Sequence, residues 1–108
     1  MSEPVIVLTT CESLDDARRI AHRLIESRLA ACVNILPGAT SIYRWKGKVE
    51  EAGEVVLLIK SNRNLVSEIQ HEFRTIHPYE VPELLVIGIA GGSGPYLAWL
   101  QENLRIPD

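Results

Sequence analysis

Three segments of this chain are apolar at every position rather than at every second one: Val5-Ile6-Val7-Leu8, Val55-Val56-Leu57-Leu58-Ile59 and Leu84-Leu85-Val86-Ile87. Side chains alternate between the two faces of a strand, so a strand with one wet face shows alternating polar residues. An unbroken apolar run instead implies burial on both faces. This constrains the fold more than any other feature. The chain must build a sheet, and something must cover each side of it.

The rest of the pattern supplies cover for one side. Pro4 to Thr10 reads as a first strand. Ser13 opens a helix, with Asp16 three residues on as a capping partner and Asp15 and Asp16 at the positive end of the helix dipole. Leu14, Ala17, Ile20, Ala21, Leu24 and Ile25 recur at helical spacing. Ala31 to Ile35 is a second strand, broken at Pro37-Gly38 by a turn or bulge and resumed over Ala39 to Trp45. Lys46-Gly47 is a hairpin tip, and Lys48 to Lys60 returns as a long strand with a bulge expected at Gly53. Asn62 is expected to cap a second helix with the stripe Leu65, Val66, Ile69, Phe73 and Ile76. His77-Pro78 ends it, because a residue before proline avoids the helical region. Glu83 to Ile89 is a fourth strand, Gly91-Gly92-Ser93-Gly94 a turn, and Pro95 to Leu104 a last helix with Leu97, Leu100 and Leu104 on one side.

The order is β-α-β-β-α-β plus a C-terminal helix, an α+β, ferredoxin-like arrangement in a single domain spanning 1–108. Right-handed crossovers place both main helices on one face of the sheet. The other face needs a second cover. Either the last helix folds beneath it, or copies of the chain cover one another.

Composition narrows the function classes. The 108 residues are 46% hydrophobic and 23% charged, with a net charge of −3. The basic residues are scattered, and Lys46 and Lys48 are followed by Glu50 and Glu51, so no nucleic-acid partner is expected. Met1-Ser2-Glu3-Pro4 does not look like a signal peptide, and the apolar runs fall short of the roughly 18 residues of a membrane span. A cytoplasmic protein with no membrane partner is the expectation. Cys11 and Cys32 lack C-x-x-C spacing and read as free thiols.

Few residues carry chemistry. His22, among Arg18, Arg19, Arg23 and Glu26, and His71, between Gln70 and Glu72, read as solvated surface residues. His77 stands in Ile76-His77-Pro78-Tyr79-Glu80-Val81-Pro82-Glu83, where two prolines stiffen a loop that is either a structural corner or a preorganised site. His77, Glu80, Glu83 and Cys11 are the residue types that a metal takes, but linear spacing does not show that they meet. A Cys–His pair for nucleophilic catalysis is weakly supported, and Cys32 reads as a small core residue. The glycine-rich turn lacks P-loop spacing. Tyr43 and Trp45 share one face of a strand, as interface or core aromatics.

Several stretches together resemble the CutA family of divalent-cation-tolerance proteins. They are Leu29 to Tyr43, including Pro37-Gly38-Ala39-Thr40-Ser41; Trp45 with Gly47-Lys48-Val49-Glu50; Leu58-Ile59-Lys60-Ser61; His77-Pro78-Tyr79-Glu80-Val81-Pro82-Glu83-Leu84; and Tyr96-Leu97-Ala98-Trp99-Leu100. The resemblance implies a ferredoxin-like subunit whose sheet is buried in a homotrimer, similar in architecture to PII signalling proteins. It implies a role in divalent metal tolerance, with Cu(II) or another divalent cation as ligand. Copper-binding members carry a histidine at the position of His77, which is kept here. The position of their cysteine is Thr9, leaving Cys11 as the substitute thiolate, and a histidine found just before the motif in some members is Ile76. The clefts between subunits would be lined by Trp45, Lys60, Tyr79, Glu80 and Glu83. A PII-like sensor of an anionic metabolite, with Lys60 supplying the charge, is the alternative. An enzyme of the acylphosphatase kind is not expected, because Thr9-Thr10-Cys11-Glu12-Ser13 has no Arg for a phosphate. No catalytic residue is assigned.

Overall fold

The structure, a computed structural model, describes residues 3–107; the reading of the chain's first two residues lies outside it. The chain runs β1 (Pro4–Cys11), α1 (Leu14–Glu26), β2 (Cys32–Trp45), β3 (Lys48–Asn62), a 3-10 turn (Arg63–Leu65), α2 (Val66–Ile76), β4 (Leu85–Gly88) and α3 (Gly94–Glu102). The four strands form one sheet in the order β2-β3-β1-β4, with every neighbouring pair antiparallel. This is the ferredoxin-like α+β order expected from the sequence, with its extra C-terminal helix.

The core lies between the sheet and the pair α1 and α2. Val5, Val7, Leu57 and Ile59 point into it and are fully buried, as are Ile20, Leu24, Leu65 and Ile69 from the helices. The Ser13 hydroxyl accepts from the Asp16 amide and caps α1. Leu14 and Ile25, at the edges of the α1 stripe, remain 39% exposed. His77 is extended at the end of α2, as proline requires.

Three local expectations change. Gly53 pairs in register with Thr40 and is no bulge. The irregularity falls on the opposite strand, where Leu36 pairs with Val56 and Ala39 with Glu54. Gly38 has φ of 87° there, a conformation that costs glycine little. Asn62 precedes the 3-10 turn but makes no side-chain cap. Its amide is committed to Gln101 of α3 through two reciprocal hydrogen bonds of 2.7 Å. The fourth strand, expected over Glu83 to Ile89, is only Leu85–Gly88, because Glu83 and Leu84 remain loop and pairing with β1 ends at Gly88.

The extra residue at 37–38 has a long-range effect. Before it, Asn34 and Leu36 share the face of Leu58 and Val56, away from the helices. After it the phase inverts, so Ser41, Tyr43 and Trp45 share the face of Glu54, Ala52 and Glu50. The turn at Lys46 (φ 50°) and Gly47 (φ 80°) joins the strands as a two-residue hairpin.

The face away from α1 and α2 remains largely open. Ile6 and Leu8 pair with Ile87 and Leu85, which are 46% and 57% exposed. The last helix reaches only one end of this face, through Tyr96 on Lys60 and Gln101 on Asn62. Nine helical residues span about 14 Å, too little to cover a sheet with strands this long. The last helix therefore does not provide the second cover by itself.

Candidate functional site

The loop after α2 carries the chain from the helix side of the sheet to its open side, and His77 anchors the crossing. The residue is only 7% exposed, and its ring contacts Phe73 at 5.3 Å and Tyr79 at 5.2 Å between centroids. Nδ1 accepts from the Tyr79 amide at 3.2 Å. That network assigns the proton to Nε2, which donates to the Thr10 carbonyl at 3.0 Å and lies 3.1 Å from the Thr9 hydroxyl. Burial pushes its pKa below the usual histidine range. The Thr10 carbonyl and the charges of Asp16 and Glu54 oppose this, and Arg19 adds to it. The neutral Nε2–H form is the one that these partners select.

The residues expected around a metal do not form a ligand set in one chain. Both ring nitrogens of His77 are occupied. Cys11 is fully buried, and its thiol donates to the Ser13 carbonyl at 3.5 Å. Burial, ahead of the nearby carboxylates, raises its pKa and disfavours the thiolate that a metal needs. Thr9 offers a hydroxyl already facing His77, and the Ile76 carbonyl takes a 2.7 Å hydrogen bond from Arg19. Among the described residues, no group of three or more His, Cys, Asp or Glu is arranged to hold a metal ion. A divalent metal does not fit the residues of a single chain as they stand.

Beside the pin lies a cleft of about 660 Å³ on the open face. Its floor is Thr10, Ser41 and Glu54, and the hairpin contributes Ile42, Tyr43 and Trp45. The loop closes the other side with Pro78, Tyr79, Glu80, Val81 and Glu83. Tyr79 spans the two walls, its hydroxyl donating to Glu54 Oε2 at 2.6 Å. Burial and the Glu54 carboxylate together push the Tyr79 phenol far above its ordinary range, so it stays a donor.

Four of the five residues expected in a cleft thus meet around one cavity: Trp45, Tyr79, Glu80 and Glu83. Lys60 does not join them within the chain. It lies six positions along β3 from Glu54, about 20 Å in a strand. There its Nζ donates to the Tyr96 hydroxyl at 3.1 Å, which raises its pKa. Glu54 was missed by the sequence reading. The clue was present as the one acid just ahead of the apolar run, but its neighbours come from β2 and the loop.

A scan of protein families matches residues 5–103 to the CutA1 divalent ion tolerance protein. The chain is 49% identical over 98 residues to the divalent-cation tolerance protein CutA of Thermus thermophilus, covering 91% of this chain and 95% of the relative. A solved structure of the T. thermophilus protein superposes with a TM-score of 0.92 at 47% identity, covering 94% of this chain and 99% of that one. The structure of an Archaeoglobus fulgidus protein, described as a periplasmic divalent cation tolerance protein CutA, gives 0.91 at 36% identity, with coverage of 94% and 99%. No helix among the described residues is long and apolar enough to cross a membrane.

Proposed function

Because the chain belongs to the CutA1 divalent ion tolerance protein family, we propose that it serves in divalent-cation tolerance as a homotrimer whose cation binds in clefts between subunits. The observation that carries this reading is the open sheet face. Ile87, Leu85, Leu36 and Trp45 are between 45% and 57% exposed on one side of the sheet, and no element among the described residues covers them. A contiguous apolar surface of this kind is where protein surfaces associate. Cyclic association of identical chains covers it without leaving an open end.

The incomplete ligand set supports placing the cation at a boundary between subunits. Each chain would bring the carboxylates of Glu54, Glu80 and Glu83 to that boundary, and assembly would have to release His77 Nδ1 from the Tyr79 amide, or expose the Cys11 thiol, for either to join them. Cu(II) is the cation to test first, since imidazole and thiolate suit it. The test is calorimetric titration of the assembled apo-protein with Cu(II) and Zn(II), alongside mass measurement in solution. Saturable heat that falls in His77→Ala supports a site at His77. Absence of heat at neutral pH refutes cation binding by this chain, and a monomer mass at micromolar concentration refutes the assembly. A PII-like sensor of an anionic metabolite has less behind it, because no Lys, Arg or His lines the cleft.

A further inference from the structure

The β2–β3 hairpin outruns the rest of the sheet. β1 stops at Cys11, opposite Val55, while β2 and β3 go on pairing from Ala39 and Glu54 to Trp45 and Lys48. That adds an arm about 20 Å long with no third strand beside it. The molecule is drawn out accordingly, to 44 × 27 × 23 Å, with a radius of gyration of 14.4 Å where a compact chain of this length has about 13 Å. No residue from 39 to 54 is buried. The arm is nonetheless apolar on both faces. Tyr43 and Trp45, on the open-face side, are 44% and 48% exposed, and Ile42 and Val49, on the other, are 66% and 64% exposed. Among the described residues, its side-chain hydrogen bonds are confined to its tip, Arg44 to the Gly47 carbonyl, and its base, Tyr79 to Glu54.

Two strands alone are marginal in water, because ordering each residue costs conformational entropy that the ladder offsets only with help from burial. The arm has the ladder without the burial. We propose that it becomes ordered only when a second copy of this chain covers it, so that folding of residues 39–53 is coupled to assembly. A second copy is the occupant because the arm's aromatic face runs on from Leu36 and the open apolar face of Leu85 and Ile87, which the proposed assembly covers. The arm's tip also carries Arg44, Lys46 and Lys48 on a chain whose net charge is −3, so another copy offers it more acid than base. Tyr43 and Trp45 form one wall of the cleft. That wall is then absent from a separate chain, and a ligand of the cleft and the assembly stabilise one another. The inference rests on the proposed homotrimer, and adds that association is what completes its cleft.

The test is amide hydrogen exchange by mass spectrometry on the full chain, with the solution mass measured in the same buffer. In the assembled protein, protection over residues 40–52 is expected to rise with protein concentration, because these amides open through dissociation. In Ile87→Asp, reduced to one chain, the same amides are expected to exchange at least about 100-fold faster than in the assembly, while β1 and the Val56 to Ser61 half of β3 stay protected. Trypsin reads the same opening, as faster cleavage after Arg44, Lys46 or Lys48. Arm protection independent of concentration, in a protein whose mass shows assembly, overturns the proposal. So does an arm as protected in a single chain as in the assembly, whether that chain is Ile87→Asp or the wild type itself. Should Ile87→Asp lose protection in β1 as well, its fold is lost and the concentration series decides. A wild type of one-chain mass with an unprotected arm refutes the homotrimer and supports the arm's need for a cover.

Discussion

Replacing His77 tests the claim that this side chain pins the loop in its neutral form. In His77→Ala, the Thr10 carbonyl and the Tyr79 amide lose their partner, and Thr9 loses a polar neighbour. A buried polar group left unpaired costs about 1–3 kcal/mol. The Tyr79 amide is only partly buried, so water recovers part of its loss, while the removed ring takes away packing against Phe73. The sum is about 3 kcal/mol. In His77→Gln, an amide can still donate toward Thr10, and the cost falls to about half that. The pH profile is the sharper signature. The folded-state pKa of His77 lies below the unfolded value of about 6.5, so the unfolded chain takes up this proton first as pH falls. Stability associated with His77 is therefore whole above about pH 6.5. It declines as pH drops from there toward the folded pKa, at no more than about 1.4 kcal/mol per pH unit. Urea denaturation at fixed protein concentration, from about pH 7.5 to 5, measures it. Both variants should lose that part of the slope. Profiles parallel to the wild type in this window, or a wild type that gains stability on acidification through it, refute the assignment.

Three further outcomes follow from particular contacts. Tyr79→Phe removes the 2.6 Å bond to Glu54 and, at a half-exposed site, should cost about 1 kcal/mol in the same assay. Leu100→Ala empties a fully buried position and should cost about 2–5 kcal/mol, whereas Leu97→Ala, half-buried on the same helix, should cost less than half as much; equal costs would mean that α3 does not dock as described. Ile87→Asp places a charge on the open face. It should leave the isolated fold intact by circular dichroism but lower the solution mass toward that of one chain, and an unchanged assembly would place the subunit contact elsewhere.

What one chain says by itself is set by short-range rules. Unbroken apolar runs, helical stripes, the Ser13 cap and the proline after His77 each act within a few residues, and the element order and the doubly apolar sheet follow from them. The motifs from Pro37 to Ser41 and from His77 to Glu83 likewise carried the family. Tertiary structure decided where parity and pairing matter over distance. The irregularity expected at Pro37-Gly38 is there and the one expected at Gly53 is not, so a single extra residue on β2 is left uncompensated and turns Tyr43 and Trp45 onto the face of Glu54. Asn62 looked like a cap because caps are local, yet Gln101, far along the chain, offered it two hydrogen bonds. His77 and Cys11 have the composition of a metal site, but a ligand also needs a free lone pair or an accessible thiolate. Only the fold shows that the Tyr79 amide has taken one and burial has disfavoured the other. The apolar strands announced from the start that a second cover was needed. The structure shows that α3 reaches one end of that face and leaves the other, with its acidic and aromatic cleft, open.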